Sequence, residues 1–151
     1  DGDIYLTRQR SPTDPTRDTA AGISKLDPHT YPVTLIASKG DGDFSCAPSN
    51  LAIASAAKGY FTCISTWPTT YVYAFNPATG DVESASGEEL FAGSLGFDIG
   101  IDPNGNLVVP SRDESAPGLL FFDTDDNQQL YGGVVDVGLF PEVFDFFTYN
   151  P

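Results

Sequence analysis

The sequence predicts an all-β protein built from repeated groups of short strands. Gly and Pro are abundant in the 151 residues, with 15 and 12 copies, and aromatic residues make up 13%. Apolar stretches are short, often alternate with polar residues, and are bounded by Gly, Pro, Asn and Asp, as in strands joined by turns. No segment of about 12 residues keeps a helical period. The length suits one domain with a buried core.

Two hairpins resemble each other along the chain. The stretch 97-FDIGIDPNGNLVVPSR-112 contains an apolar strand, a tight turn and a second apolar strand. The stretch 51-LAIASAAKGYFTCIST-66 has the same order. The turns of the two stretches are predicted to end at Gly105 and Gly59, respectively. The recurrence predicts a repeated unit rather than a single hairpin.

The residues after each hairpin repeat as well. Both 70-TYVYAFNPATGDVES-84 and 117-PGLLFFDTDDNQQL-130 combine an alternating strand, a turn of Asn, Asp, Pro or Gly, and a short strand. A third copy is 23-ISKLDPHTYPVTLIAS-38, preceded by the strand 3-DIYLTRQR-10. The period of about 46–49 residues and four strands per unit predict the blades of a β-propeller.

The predicted architecture is about three four-stranded blades, formed by residues 1–38 plus 144–151, 51–85 and 97–131. The strands of the first blade are predicted at 3–9, 22–27 and 33–37. Those of the second are predicted at 51–55, 60–66, 71–76 and 81–85, and those of the third at 97–101, 106–111, 118–123 and 128–131.

The N- and C-terminal strands are predicted to complete one blade. The first blade lacks an innermost strand, and 144-FDFFTYNP-151 has the pattern of one. When the C-terminus is placed before the N-terminus, Asn150-Pro151 aligns with Asp102-Pro103, Asp1-Gly2 aligns with Asn104-Gly105, and Ile4 aligns with Leu107. This closure removes an exposed sheet edge.

Three blades are too few to close a ring, because propellers typically have four to eight. The sequence therefore predicts a homo-oligomer, with two chains pairing into six blades. A filament is the alternative assembly, and half of a longer polypeptide is the alternative origin of the chain. Asp1 and the absence of Met indicate a processed chain or a piece of a longer one.

The net charge of −14 argues against nucleic acid as a partner and against an anionic membrane surface. No apolar run reaches about 18 residues, so membrane insertion is not expected. Cys46 and Cys63 predict one disulfide and an extracellular or cell-surface location. Two buried thiols are the alternative.

The repeats also carry a family resemblance. The stretch 97-FDIGIDPNGNLVVPSR-112 resembles NHL and gluconolactonase-like propeller repeats, and 71-YVYAFNPATGDV-82 is similar to the surface-layer YVTN repeat. The shared motifs consist of turn residues and core alternation. The resemblance therefore implies a scaffold and leaves the activity open.

Candidate ligand residues lie in loops predicted to share one face of the propeller, where a protein or glycan ligand would bind. Trp67 is the single tryptophan, with packing between blades as the simpler explanation. The loop 9–21 is the longest polar insertion, and a tolerated surface insertion is its simpler explanation. The candidates are Arg10, Arg17, Asp43, Trp67, Arg112, Asp113 and Glu114.

Metal ligands are predicted at Asp98 and Asp145, on innermost strands facing a central channel. Ca²⁺ is the candidate cofactor, since 41-DGD-43 and 123-DTDDN-127 also present hard oxygen ligands. Neither cluster completes an EF-hand loop, and the second lies where a turn is required. Apolar Leu51 and Ala52 leave the channel carboxylates incomplete, which argues against a gluconolactonase-like metal site.

No catalytic residue is predicted. The single histidine, His29, lies in the turn 27-DPHT-30, and no nucleophile or phosphate-binding motif is present. The predicted function is a non-catalytic, secreted or cell-surface module for binding, adhesion or self-assembly. The alternative is a metal-dependent lactonase or hydrolase that uses Asp98 and Asp145.

Overall fold

Over the residues that it describes, the computed structural model is all-β, with ten strands in three antiparallel sheets. In the part of the chain that the structure describes, no helix is long and apolar enough to cross a membrane. The described residues are 2–8, 21–38, 44, 46–66, 68–83, 89–96, 98–138, 141 and 144–146.

The sheets follow each other in chain order. Sheet 1 contains β1 (Ile4–Arg8), β2 (Gly22–Leu26) and β3 (Val33–Ser38). Sheet 2 contains β4 (Pro48–Ile53), β5 (Gly59–Thr66), β6 (Thr69–Phe75) and β7 (Phe91–Ser94). Sheet 3 contains β8 (Gly100–Ile101), β9 (Leu107–Asp113) and β10 (Ala116–Phe122).

Three outer turns repeat the same hydrogen bonds, at 27–32, 76–81 and 123–128. In each, the Asp or Asn side chain of the first residue accepts a bond of 2.8 Å from the backbone N–H two positions later. The fifth residue is left-handed, with φ of 61°, 84° and 61°. An Asx-turn needs that Asp or Asn, so the predicted turns, including the place of His29, are confirmed.

Strand pairing fixes the register of the repeats. Ile4, Gly59 and Leu107 lie opposite the last residues of β2, β6 and β10. The predicted match of Ile4 with Leu107 is confirmed, whereas the match of Gly59 with Gly105 is wrong by two residues. Gly105 lies inside a turn at φ 89°, while Gly59 begins a strand where a Cβ would meet the Phe75 ring.

The predicted fourth strands are only partly correct. In sheet 2, Val82 makes one bridge to Phe75, and the regular outer strand is β7, which lies between the predicted blades 51–85 and 97–131. In sheet 3, Gln129 and Val135 make single bridges to β10. An outermost strand pairs on one side only, so few residues are needed to hold it and its sequence pattern is weak.

The sheets stack face to face, with sheet 2 in the middle. We call the side of each sheet that points to the next sheet its forward face, and the opposite side its backward face. Sheets 1 and 2 bury between them Ile23, Ala37, Phe44, Cys46, Phe61, Cys63, Tyr73 and Phe75. Sheets 2 and 3 bury Ala52, Tyr60, Val72, Ala74, Leu95, Ile99, Leu107, Val109 and Phe122.

The described residues form this stack and no closed ring. The predicted completion of the first blade by 144–151 stays a prediction, because residues 147–151 lie outside the described part. Within it, β1 is the edge of sheet 1. Residues 144–146 lie elsewhere, against sheet 3, where a Cβ on Gly100 would approach the rings of Phe144 and Phe146 at 3.0 and 3.1 Å.

The predicted disulfide between Cys46 and Cys63 is confirmed. It joins the segment before β4 to β5, with the two Cα atoms 5.6 Å apart. Both cysteines belong to the apolar cluster between sheets 1 and 2. The disulfide therefore cross-links the apolar cluster that also contains Phe44 and Phe61.

Replacing both cysteines by alanine should lower the free energy of unfolding by about 3 kcal/mol, because the disulfide closes a loop and so restricts the conformations of the unfolded chain. The cysteines are 17 residues apart. Urea denaturation with fluorescence detection measures the loss, and added reductant should destabilise the unsubstituted chain to a similar extent. An unchanged urea midpoint would contradict the prediction.

Candidate functional site

The predicted ligand face is only partly described. Arg10, Arg17, Asp43 and Trp67 lie outside the described residues. Arg112, Asp113 and Glu114 lie at the β9–β10 turn. Whether these seven residues form one face stays a prediction.

Asp113 has a local structural role. Its Oδ1 accepts hydrogen bonds from the Ser115 backbone N–H at 2.8 Å and from the Ser115 hydroxyl at 2.6 Å. These bonds, the hydroxyl first, lower the pKa of the Asp113 carboxyl. Glu114 beside it is exposed. The carboxylate of Asp113 therefore stabilises the turn.

The structure brings the two predicted metal ligands into neighbouring segments. Asp98 is half-buried, and its Oδ2 accepts a bond of 3.4 Å from the Phe144 backbone N–H. Asp145 is exposed and accepts a bond of 2.8 Å from the Phe146 backbone. Among the described residues, no group of three or more His, Cys, Asp and Glu is placed to hold a metal.

A pocket that was not predicted lies between sheets 1 and 2. Its volume is about 240 Å³, and it opens at the end of the sheets where the turns 54–58 and 76–81 lie. Sheet 1 and the residues just before it supply Gly2, Asp3, Tyr5 and Lys25. This wall carries both charges of the pocket.

The charged wall is held by short contacts. The Lys25 ammonium lies 2.6 Å from the Asp3 carboxylate and 5.8 Å from the centre of the Tyr5 ring. The hydrogen bond with Asp3 is the main reason why the pKa of Lys25 is raised; desolvation opposes it, and Tyr5 adds to it. The Tyr5 hydroxyl donates a long bond of 3.4 Å to the Pro77 carbonyl. The three side chains thus form one connected group.

The opposite wall is mainly apolar and comes from sheet 2. Ile53 ends β4, Ser55 and Ala56 follow in the turn, and Ala78 belongs to the outer turn 76–81. The Ser55 hydroxyl accepts a bond of 3.2 Å from the Ala57 backbone. The pocket therefore combines a paired charge, an aromatic hydroxyl and an apolar surface, which suits binding rather than proton transfer.

The junction between sheets 2 and 3 has a comparable group, in which the tyrosine is at the same repeat position and the lysine is not. Tyr60 occupies the register position of Tyr5, and Lys58 lies 5.5 Å from its ring centre and pairs with Glu83. Burial, more than the nearby carboxylates, raises the pKa of the Tyr60 hydroxyl. That hydroxyl lies 2.8 Å from the Asn127 side-chain oxygen and 3.4 Å from the Thr124 carbonyl.

The two junctions differ, among other positions, in the outer turn beside the tyrosine. The fifth residue of the outer turn is Asn127 in sheet 3 and Gly80 in sheet 2, so Tyr5 meets no amide side chain there. Sequence reasoning missed the pocket because its residues come from separate segments. The equivalence of Tyr5 and Tyr60 in the second strands was the available signal.

Comparisons of the chain with protein-family models, curated proteins and solved structures found no match.

Proposed function

We propose that this protein is a non-catalytic, secreted or cell-surface module that assembles with itself, two chains completing a six-bladed β-propeller of the NHL and YVTN type. One observation carries the proposal. Repeat positions that are buried between neighbouring sheets are exposed on the backward face of sheet 1.

The backward face of sheet 1 has the composition of an interior face. Leu6 occupies the register position of Phe61 and Val109. Phe61 and Val109 are 0% exposed, whereas Leu6 is 42% exposed and its neighbour Ile4 is 45% exposed. Val33 and Leu35 extend the same apolar surface on β3. A further sheet on this face would bury all four side chains.

The forward face of sheet 3 is the complementary end of the stack. Phe121 packs edge to face on Tyr131, with ring centres 5.3 Å apart, and Val135 bridges to Leu119 beside it. Tyr131 and Val135 remain exposed. Residues 144–146 cover Gly100 on this same face, next to the innermost strand β8.

A second copy is the occupant that the stacking geometry favours. Each internal junction joins a forward face to a backward face, and among the described residues one face of each type has no neighbouring sheet. Such head-to-tail contacts close a ring when the rotation per subunit permits it and otherwise form a filament. The disulfide and the charge of −14 support an oxidising, extracellular setting.

The assembly is tested by Leu6→Lys. The unsubstituted chain should have about twice the monomer mass of 16.1 kDa in native mass spectrometry. Leu6→Lys should give the monomer, because a buried unpaired charge opposes association. The matched control Thr34→Lys, at an exposed polar position on the other face of sheet 1, should keep the assembled mass.

Val135→Lys provides an independent test on the other end of the stack. If Leu6→Lys fails to fold by circular dichroism, a folded monomeric Val135→Lys still supports the proposal. A folded, stable monomer of the unsubstituted chain would contradict it. So would an assembled mass that neither lysine changes.

A metal-dependent hydrolase is the second candidate, and one observation favours it. The hydrogen bond from Phe144 to Asp98 places the segment of Asp145 beside the innermost strand of sheet 3. Metal analysis of the purified protein separates the candidates. If the protein holds a stoichiometric divalent ion and removal of that ion abolishes hydrolysis, the protein is an enzyme rather than a binding module.

A further inference from the structure

We infer that the pocket between sheets 1 and 2 binds one neutral monosaccharide unit, free or at the end of a glycan. The site lies within a single chain, so the inference does not rest on the proposed assembly. It also lies apart from the predicted ligand residues that the structure describes: Arg112–Glu114 are at the β9–β10 turn, whereas the pocket is at the 54–58 and 76–81 turns.

The size of the pocket limits the ligand. Its volume of about 240 Å³ is below the range of about 300–1,000 Å³ for pockets that hold drug-sized molecules. One sugar ring is of suitable size.

The charges of the pocket favour a neutral ligand. Lys25 is already paired with Asp3 at 2.6 Å, so neither a cation nor an anion finds an uncompensated partner. The ammonium has three donors and the carboxylate about four acceptor positions, which leaves both able to bond further. Sugar hydroxyls donate and accept, and can therefore bond to both ions at once.

The Tyr5 hydroxyl supplies a further contact. In the equivalent junction, the Tyr60 hydroxyl has a side-chain oxygen at 2.8 Å, provided by Asn127. At Tyr5 the corresponding turn residue is Gly80, and the carbonyl contact to Pro77 is long, at 3.4 Å. A ligand hydroxyl in the pocket would give the Tyr5 hydroxyl a closer partner than the Pro77 carbonyl.

The remaining wall matches the apolar side of a sugar ring. Ile53, Ala56 and Ala78 face the charged group across the pocket. A pyranose carries hydroxyls around its edge and C–H groups on its faces. Such a ligand can therefore contact the ion pair and the aliphatic wall together, as is usual for pockets with few polar groups and an apolar lining.

The test is titration calorimetry of the full chain, separately with D-glucose, D-galactose, D-mannose, L-fucose and N-acetyl-D-glucosamine. At least one should bind saturably, with a dissociation constant of about 1 mM. Asp3→Asn and Tyr5→Phe should each raise the dissociation constant of that sugar about tenfold, because each variant loses a hydrogen bond to the ligand. The matched control Tyr60→Phe, in the other junction, should bind like the unsubstituted chain.

Three results would overturn the inference. These are no saturable binding by any of the five sugars up to about 50 mM, equal weakening by Tyr60→Phe, and tighter binding of glucuronate or glucosamine than of the neutral sugars. If Asp3→Asn does not fold, amide chemical shifts of the unsubstituted chain decide. Addition of the sugar must then change the amide chemical shifts of Tyr5, Lys25 and Ser55. Changes confined to the amides of other residues would refute the site.

Discussion

Phe61→Ala should lower the free energy of unfolding by about 3–5 kcal/mol, as expected for an aromatic side chain removed from a packed core. Phe61 is 0% exposed and lies between sheets 1 and 2. Its ring centre lies 5.0 Å from Phe44, 5.1 Å from Tyr73 and 5.9 Å from Phe75. Because three rings lose a neighbour at once, the cavity cannot be closed by one rotamer change. Urea denaturation measures the loss.

Phe91→Ala is the matched control for Phe61→Ala. Phe91 stacks on Phe122 at 4.1 Å but is half-buried on the outermost strand β7. Truncation there removes less buried area, and solvent fills part of the space. We expect less than half the cost of Phe61→Ala. Equal losses for the two variants would show that Phe61, at the junction of sheets 1 and 2, contributes no more to stability than a half-buried ring on an outermost strand, and would contradict the prediction.

Gly80→Ala should be nearly as damaging, with a loss of about 3–4 kcal/mol. Gly80 has φ 84°, where a side chain itself costs about 1–2 kcal/mol. A Cβ would also overlap the carbonyl oxygen of Ile36 on β3. Relief requires the turn 76–81 to move away from sheet 1, which opens the packed junction. Thermal unfolding followed by circular dichroism reports the change.

Gly105→Ala separates the two causes. Gly105 has nearly the same backbone conformation, φ 89°, but no atom lies within 4 Å of its hypothetical Cβ. Gly105→Ala should therefore lower the free energy of unfolding only by the conformational cost of about 1–2 kcal/mol. If both variants lose the same amount, the close approach of Ile36 has no energetic weight and the prediction for Gly80 is wrong.

The inner strands and turns were predictable because local chemistry specifies them. Asp27, Asn76 and Asp123 each begin an Asx-turn, and this chemistry is visible in the sequence as Asp or Asn between two apolar runs. The alternation of β5, with Tyr60 forward and Phe61 backward, likewise follows from the period of a strand. These features depend on neighbours a few residues away. The disulfide was predicted from the two cysteines and the expected extracellular setting, without knowledge of their geometry.

The outer strands and the pocket depended on contacts between distant parts of the chain. The segment 91-FAGS-94 has no alternation, and it becomes β7 because β6 offers a free edge. The pocket requires Asp3, Lys25 and the turn at Ser55 to meet across a junction. The long contact of the Tyr5 hydroxyl becomes informative only when it is compared with the Tyr60–Asn127 contact in the neighbouring junction. No local pattern contains that information.

The central position of sheet 2 has a consequence for how the chain unfolds. Sheet 2 alone has a neighbour on both faces, while sheets 1 and 3 each touch one described sheet. In such a linear stack, stability is shared between nearest neighbours. Either end sheet can open while the other two remain together, but opening sheet 2 breaks both junctions at once. Backbone amides of β5 and β6 are therefore the last to exchange with solvent, and proteolytic cleavage begins from the ends of the stack.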